Sequence, residues 1–216
     1  MSSLNPILSD ARLREELERC EYCEEKPCQK ACPADCSPAD FIRAALVGEP
    51  SDFQRAAAEI LFANPFGGVC GLVCPDRHCQ AACSRKLFEK PIEIPSIQAT
   101  IVQKARDLGV APTAAAKAAP NGRKAAVVGA GPAGLAAAAM LARKGWSVTV
   151  FERQAKAGGQ ARLIPEHRLS RAMLDADIDF VLKLGDISVQ YGVAVDDPTD
   201  LLGRGFDGVI LSVGLW

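Results

Sequence analysis

Lys124-Ala-Ala-Val-Val128-Gly129-Ala130-Gly131-Pro132-Ala133-Gly134 is a short apolar run that turns through three glycines into an alanine-rich segment. Lys124 to Val128 reads as a buried strand, Pro132 to Lys144 as a helix, and Ser147 to Phe151 as a second, β-branched strand. A strand, a helix and a strand in roughly thirty residues make a βαβ unit. Gly129 allows the tight turn, Gly131 lets backbone approach a pyrophosphate, and Gly134 lets helix pack on strand. Pro132 and Ala133 open the helix, whose amino end presents partial positive charge to phosphates. Glu152 closes the second strand, where an acid can bind ribose hydroxyls and disfavours a 2′-phosphate. The pattern alone does not separate FAD from NAD. Farther along, Arg171 to Leu184 reads as a helix and Gly208 to Val213 as a buried strand.

On the amino-terminal side of this unit, Val110 to Gly122 is rich in alanine and proline and has no apolar periodicity, so it reads as a linker. Before it the chain is helical and rich in cysteine. Asp10 to Arg19 reads as an amphipathic helix. Ser37-Pro38-Ala39-Asp40 starts a helix running to about Val47 and stopping at Gly48. Ser51-Asp52-Phe53-Gln54 has a capping-box pattern, and Asn64-Pro65 ends the helix that it opens. Ser96 to Leu108 is a last helix, stopped by Gly109. The stretches Cys20 to Cys36 and Phe66 to Cys83 are interrupted by proline or glycine and read as ligand loops.

All nine cysteines lie in this first part. One group is Cys20-x2-Cys23-x4-Cys28-x3-Cys32-Pro33; the other is Cys70-x3-Cys74-Pro75-x4-Cys79-x3-Cys83. Cubane clusters need four soft thiolates, and loops of two to four residues can aim several at one cluster. In two-cluster ferredoxins the cysteine before proline ligates the other cluster, and Cys32-Pro33 has that form. Structural zinc usually pairs two CxxC knuckles, of which only Cys20/Cys23 is one. Disulfides fit poorly with an odd count and no export signal. Nine thiols exceed the eight that two clusters need, and Cys36 is the natural surplus.

Composition bounds the partners. The 216 residues are 49% hydrophobic and 24% charged, with a formal net charge of -1. There is no basic field to favour nucleic acid. No run reaches the roughly 18 to 20 apolar residues of a membrane span. Met1 to Leu17 has no apolar signal-peptide core, which points to the cytoplasm. His78 and His167, the two histidines, read as surface or loop residues.

Taken together, Cys20-Glu-Tyr-Cys23, Cys28-Gln-Lys-Ala-Cys32-Pro33, Asn64-Pro-Phe-Gly-Gly-Val-Cys70-Gly-Leu-Val-Cys74-Pro75 and Gly129 to Gly134 resemble a known family. It comprises the glutamate synthase small subunit and the amino-terminal region of dihydropyrimidine dehydrogenase with its bacterial flavoprotein subunit. The resemblance implies two [4Fe-4S] clusters in a helical domain, followed by FAD and NAD(P)H domains. It implies Cys20, Cys23, Cys28 and Cys83 on one cluster, and Cys32, Cys74, Cys79 and Gln98 on the other. Cys70 is the alternative to Gln98. It also makes the dinucleotide FAD, with Arg153, Gly159, Gln160 and Arg168 beside the glycine turn and Glu152; Arg168 matches an arginine that contacts the flavin cofactor. The gap from Cys74 to Cys79 is one residue shorter than in dihydropyrimidine dehydrogenase.

The expected fold is therefore α+β and multidomain. An all-α iron–sulfur domain (1–109) and a linker (110–122) precede a partial Rossmann-like α/β FAD-binding domain (123–216). In the family the sequence continues into an NAD(P)H half, so the chain reads as a fragment or one piece of a split enzyme. The implied role is electron transfer in an oxidoreductase, from NAD(P)H through FAD and the clusters to a partner subunit or catalytic domain. The alternative is a non-catalytic relay or docking subunit without its own working flavin site. Neither reading names a catalytic acid, base or nucleophile.

Overall fold

The computed structural model describes residues 5–110, 112 and 118–215. The chain divides into two compact units, Met1–Pro112 and Thr113–Trp216, so the division falls inside the stretch predicted as a linker. Residues 111 and 113–117 of that stretch, Trp216, and the first four residues of the predicted leader-free start lie outside the described residues.

The first unit is helical: α1 (Asp10–Glu18), α2 (Pro27–Lys30), α3 (Pro38–Ala45), α4 (Pro50–Ala63), α5 (Gly67–Val73) and α6 (Ile94–Asp107). Helix α6 is its centre, with ten of its residues buried, and α1, α3, α4 and α5 all pack against it. Phe41, Ile42, Ile60, Leu61, Ile94, Ile97 and Ile101 form the core. Two polar devices fix the amino end of the chain on this centre. The carboxylate of Glu16, fully buried, accepts from Arg19 at 2.7 Å and from the Glu93 amide at 2.9 Å. The hydroxyl of Thr100 donates to the Ser96 carbonyl at 2.7 Å and accepts the Leu8 amide at 2.9 Å.

Three local expectations are corrected. The loop from Cys20 to Cys36 contains the one-turn helix α2, because Pro27 sits at its first position, where no amide donor is needed. The stretch from Phe66 to Cys83 contains α5, although glycine disfavours helix by about 1 kcal/mol per residue. The glycines are selected by contact: a β-carbon on Gly71 would stand 2.5 Å from the Ala99 amide nitrogen, so α5 lies backbone to backbone on α6. The capping box of α4 sits two residues earlier than predicted, with the Glu49 amide donating to Asp52 Oδ2 at 3.1 Å and Pro50 as first helical residue.

The second unit is an all-parallel sheet in the order β3-β2-β1-β4. Its elements are β1 (Lys124–Val128), α7 (Pro132–Ala142), β2 (Ser147–Glu152), α8 (Arg171–Leu182), β3 (Ile187–Tyr191), α9 (Thr199–Gly203) and β4 (Gly208–Leu211). Strand β1 is central, pairing Val128 with Phe151 on one side and Leu211 on the other. Ala126, Val128, Phe151 and Leu201 pack together, with Phe206 edge-on to Phe151 at 5.9 Å. Strand β3 and helix α9 add to the predicted elements. Among the described residues no single helix is long and apolar enough to cross a membrane.

A Gly71→Ala change forces its methyl into the α6 backbone. The expected loss is about 1–3 kcal/mol of stability, read as a lower urea midpoint; an unchanged midpoint would mean that α5 lifts off α6 freely.

Candidate functional sites: the cysteine loops and the glycine turn

Cys20, Cys23, Cys28 and Cys83 line one cavity of the first unit, with about 390 Å³ of empty space including its open mouth. Ile42, Ile92 and Ile94 wall its inner side, and Lys26 and Arg85 also line it. Cys20 follows the end of α1, Cys28 lies in α2, and Cys83 precedes a 3₁₀ turn at Ser84–Leu87.

The loop carrying the first three thiols is held in an unusual backbone shape. Tyr22, Lys26 and Asp35 have φ values of 49°, 40° and 52°, a region disfavoured for side chains other than glycine. Asp40 on α3 clamps it: both carboxylate oxygens accept from Lys26 Nζ at 2.7 Å, and Oδ1 also accepts from the Tyr22 hydroxyl at 3.0 Å. Burial works against the Asp40 charge, but the bonds from Lys26 and Tyr22 outweigh it and hold the carboxyl below its usual range. Lys26 and Arg43 both sit against the Tyr22 ring, 5.5 and 5.9 Å from its centre.

The second set gathers around Cys79. Burial and the neighbouring sulfurs of Cys74 and Cys32 push its thiol up to about 12. Burial, with Cys32 close by, also raises Cys74. Cys32 goes the other way, to about 6, chiefly through its interaction with the neighbouring Cys36 thiol. Burial raises Cys20 and Cys28 as well, so metal loading of these loops releases protons. Gln98, on α6 and buried, donates its amide nitrogen to the Gly67 carbonyl at 2.7 Å, which ties it to the start of α5. Cys70 is half-buried on α5, near the Cys36 thiol. The Asn5 side chain donates to the Cys74 carbonyl at 2.8 Å.

The chemistry of this donor set fits a cluster. Among the described residues, no three His, Cys, Asp or Glu side chains converge tightly enough for a single metal ion. Zinc, bound at about 2.3 Å per thiolate, draws its ligands into contact. Four thiols lining one cavity, as Cys20, Cys23, Cys28 and Cys83 do, suit a cubane, which takes four thiolates.

In the second unit the glycine turn lies at the carboxyl end of the sheet, between β1 and α7. Gly129 has φ 104°, and a β-carbon there would stand 2.5 Å from the Ser212 carbonyl oxygen. At Gly134 it would stand 2.0 Å from the Gly129 carbonyl oxygen. Gly131 differs. Its backbone is extended (φ −77°, ψ 177°), open to any residue, and its β-carbon would meet nothing nearer than Gly159 Cα at 4.0 Å. The protein's own packing therefore does not require glycine at 131. Ala133 is exposed, with Gly131 and Pro132 half-buried.

Glu152 lies 6% exposed at the end of β2. Its Oε2 accepts the Ala130 amide at 2.7 Å and its Oε1 the Gln154 amide at 2.8 Å. The acid thus braces the turn from within, a role its sequence position did not announce. Each oxygen keeps a second lone pair for a ribose hydroxyl. The Gly158 amide donates to the Ala130 carbonyl at 2.8 Å, bringing the Gly158-Gly159 loop against the turn. Arg153 and Gln160 are exposed and Arg168 is half-buried. His167 is exposed and His78 half-buried. Arg85, Lys26 and Asp40 escape a sequence reading because only the folded loop brings them to the thiols; the nearest signal is that Arg85 stands two residues after Cys83.

Residues 1–110 match the family model described as dihydropyrimidine dehydrogenase domain II, 4Fe-4S cluster. Residues 127–180 match that of an NAD(P)-binding Rossmann-like domain. The chain is 35% identical over 187 residues to the NAD-dependent dihydropyrimidine dehydrogenase subunit PreT of Escherichia coli (strain K12), covering 86% of this chain and 44% of the relative. It is 36% identical over 211 residues to the glutamate synthase [NADPH] small chain of Mycobacterium tuberculosis (strain ATCC 25618 / H37Rv), covering 94% and 41%. It is 33% identical over 222 residues to the PreT subunit of Salmonella typhimurium, covering 100% and 52%. The chain thus spans about half the length of these relatives.

Replacing Glu152 with glutamine puts an amide NH₂ where two backbone amides need acceptors. The second unit is expected to lose about 1–3 kcal/mol, with faster hydrogen exchange at Ala130; unchanged exchange there would separate the carboxylate from the turn.

Proposed function

We propose that this chain, which belongs to the dihydropyrimidine dehydrogenase domain II family of 4Fe-4S cluster proteins, is an electron-carrying component of an NAD(P)H-dependent oxidoreductase. Its relatives are NAD- or NADPH-dependent oxidoreductase subunits by name. The observation that carries the reading is that Cys83, from the second cysteine group, lines one cavity with Cys20, Cys23 and Cys28 from the first. In this reading those four hold one [4Fe-4S] cluster, and Cys32, Cys74, Cys79 and Gln98 hold another. The Gln98 nitrogen is already given to Gly67, which leaves its oxygen as the ligand atom. Cys70 is the alternative eighth ligand.

FAD lies on the glycine turn. Gly129, Gly131, Pro132, Ala133 and Gly134 face the pyrophosphate, Glu152 faces the ribose, and Arg153, Gly159, Gln160 and Arg168 border the remainder. When bound, the flavin takes hydride as an electron pair and the clusters carry electrons singly. The protein's own part is positional. The clamp of Asp40 on Lys26 and Tyr22 holds three thiols in place before loading, Ile42, Ile92 and Ile94 keep water from the inner side, and the N-terminus of α7 offers free amides to phosphate. NAD(P)H enters through a further domain or partner, and a partner subunit takes the electrons. The domains are 1–109, the linker 110–122 and 123–216, and the setting is cytoplasmic.

Anaerobic purification with iron, sulfide, zinc and flavin assays tests this. About eight irons and eight sulfides per chain are expected, falling to about four of each in Cys28→Ser. One FAD per chain is expected and should be lost in Gly131→Val, whose β-carbon the protein alone accommodates. Two clusters without flavin would leave a relay or docking subunit. Zinc without sulfide would overturn the electron-transfer reading.

A further inference from the structure

Two cations line the cavity of Cys20, Cys23, Cys28 and Cys83, and they differ in how they are occupied. Lys26 is spent on Asp40, which takes its ammonium with both oxygens. Arg85 is not. Its Nη1 pairs with Glu21 at the rim, but its Nε is buried and has no hydrogen-bond acceptor. Glu89 Oε1 stands 2.8 Å from that nitrogen, off the line a hydrogen bond requires, and also approaches Arg19 at 3.4 Å. Arg85 lines a cavity ringed by four thiols, stands two residues from Cys83, and has a side chain only 24% exposed. Two carboxylates at the rim hold the guanidinium in place.

We propose that Arg85 sets the reduction potential at this site by giving its Nε–H to a sulfur of the Cys20, Cys23, Cys28 and Cys83 cluster. A hydrogen bond to sulfur stabilises the reduced, more negative state and raises the potential. The rim carboxylates neutralise the distant part of the arginine charge, so the directed N–H is what remains at the cavity. The inference rests on the ligand set given under the proposed function. Arg85 acts as a tuning residue at the cavity that it lines.

The test is a redox titration of the anaerobically purified full chain, followed by electron paramagnetic resonance, with iron content measured for every variant. The first cluster is the signal that vanishes in Cys28→Ser. Arg85→Gln is expected to disfavour its reduction at least tenfold, about 59 mV for a one-electron couple, leaving the other signal in place. Glu89→Gln removes the carboxylate that competes for Nε and is expected to move the same signal upward. Full iron in Arg85→Gln with an unmoved potential would overturn the proposal alone, as would both variants shifting the same way. Should Arg85→Gln lose its iron, Glu89→Gln decides: an upward shift supports the proposal, and no shift or a downward one overturns it. A Cys28→Ser chain that keeps both signals overturns the ligand set and this proposal with it.

Discussion

The first unit depends on the contact of α5 with α6 at Gly71 and Ala99, where two helix backbones meet without a side chain between them. Everything about the second cysteine group follows from that closeness. It fixes the helix that ends just before Cys74, lets the Gln98 amide reach the Gly67 carbonyl, and starts the return of the chain toward Cys83. The packed interior built from Phe41, Ile60, Leu61, Ile97 and Ile101 then keeps the loops at the surface of a rigid body. The sites are irregular, and the helices beneath them are not.

The glycine turn rests on a different principle. In the second unit the backbone shapes at Gly129 and Gly134 are imposed from inside, by Ser212 and by the turn's own carbonyl. Gly131 answers to nothing inside. A single hexapeptide therefore contains two glycines that the fold requires and one that it does not. Glu152 links the two, since the same carboxylate that braces Ala130 stands at the carboxyl edge of the sheet, where ligands of open α/β sheets bind.

How much of this could be read beforehand depends on how local each cause is. Strands β1 and β2 and helices α1 and α7 were legible to within two residues or so, because their apolar spacing and boundary residues lie within the elements themselves. Helix α5 was not: Gly67, Gly68 and Gly71 look like a loop until α6 is set against them. The capping box of α4 was displaced because Ser51 and Glu49 both satisfy the local pattern, and Pro50 settles the choice. Short, half-exposed β3, with Ile187, Val189 and Tyr191 alternating around Ser188 and Gln190, carries too weak a pattern to stand alone. The cysteines announced iron–sulfur chemistry by spacing, and the resemblance put Cys83 with Cys20, Cys23 and Cys28, but spacing alone did not: that the four line one cavity is a tertiary fact. So are the clamp of Asp40 and the place of Arg85 on the cavity wall.

Cys20 and Cys83 are 63 positions apart in the chain, yet they border the same cavity. Anything held by both is a cross-link across most of the first unit. Its binding energy is then available only to the folded arrangement and is shared with folding. Removing a cross-link of that span gives the intervening chain back its loop entropy. The strained turns at Tyr22, Lys26 and Asp35 would be the first to relax. A chain that holds nothing there lacks that cross-link, and its loops rest on the Asp40 clamp and the helices beneath them.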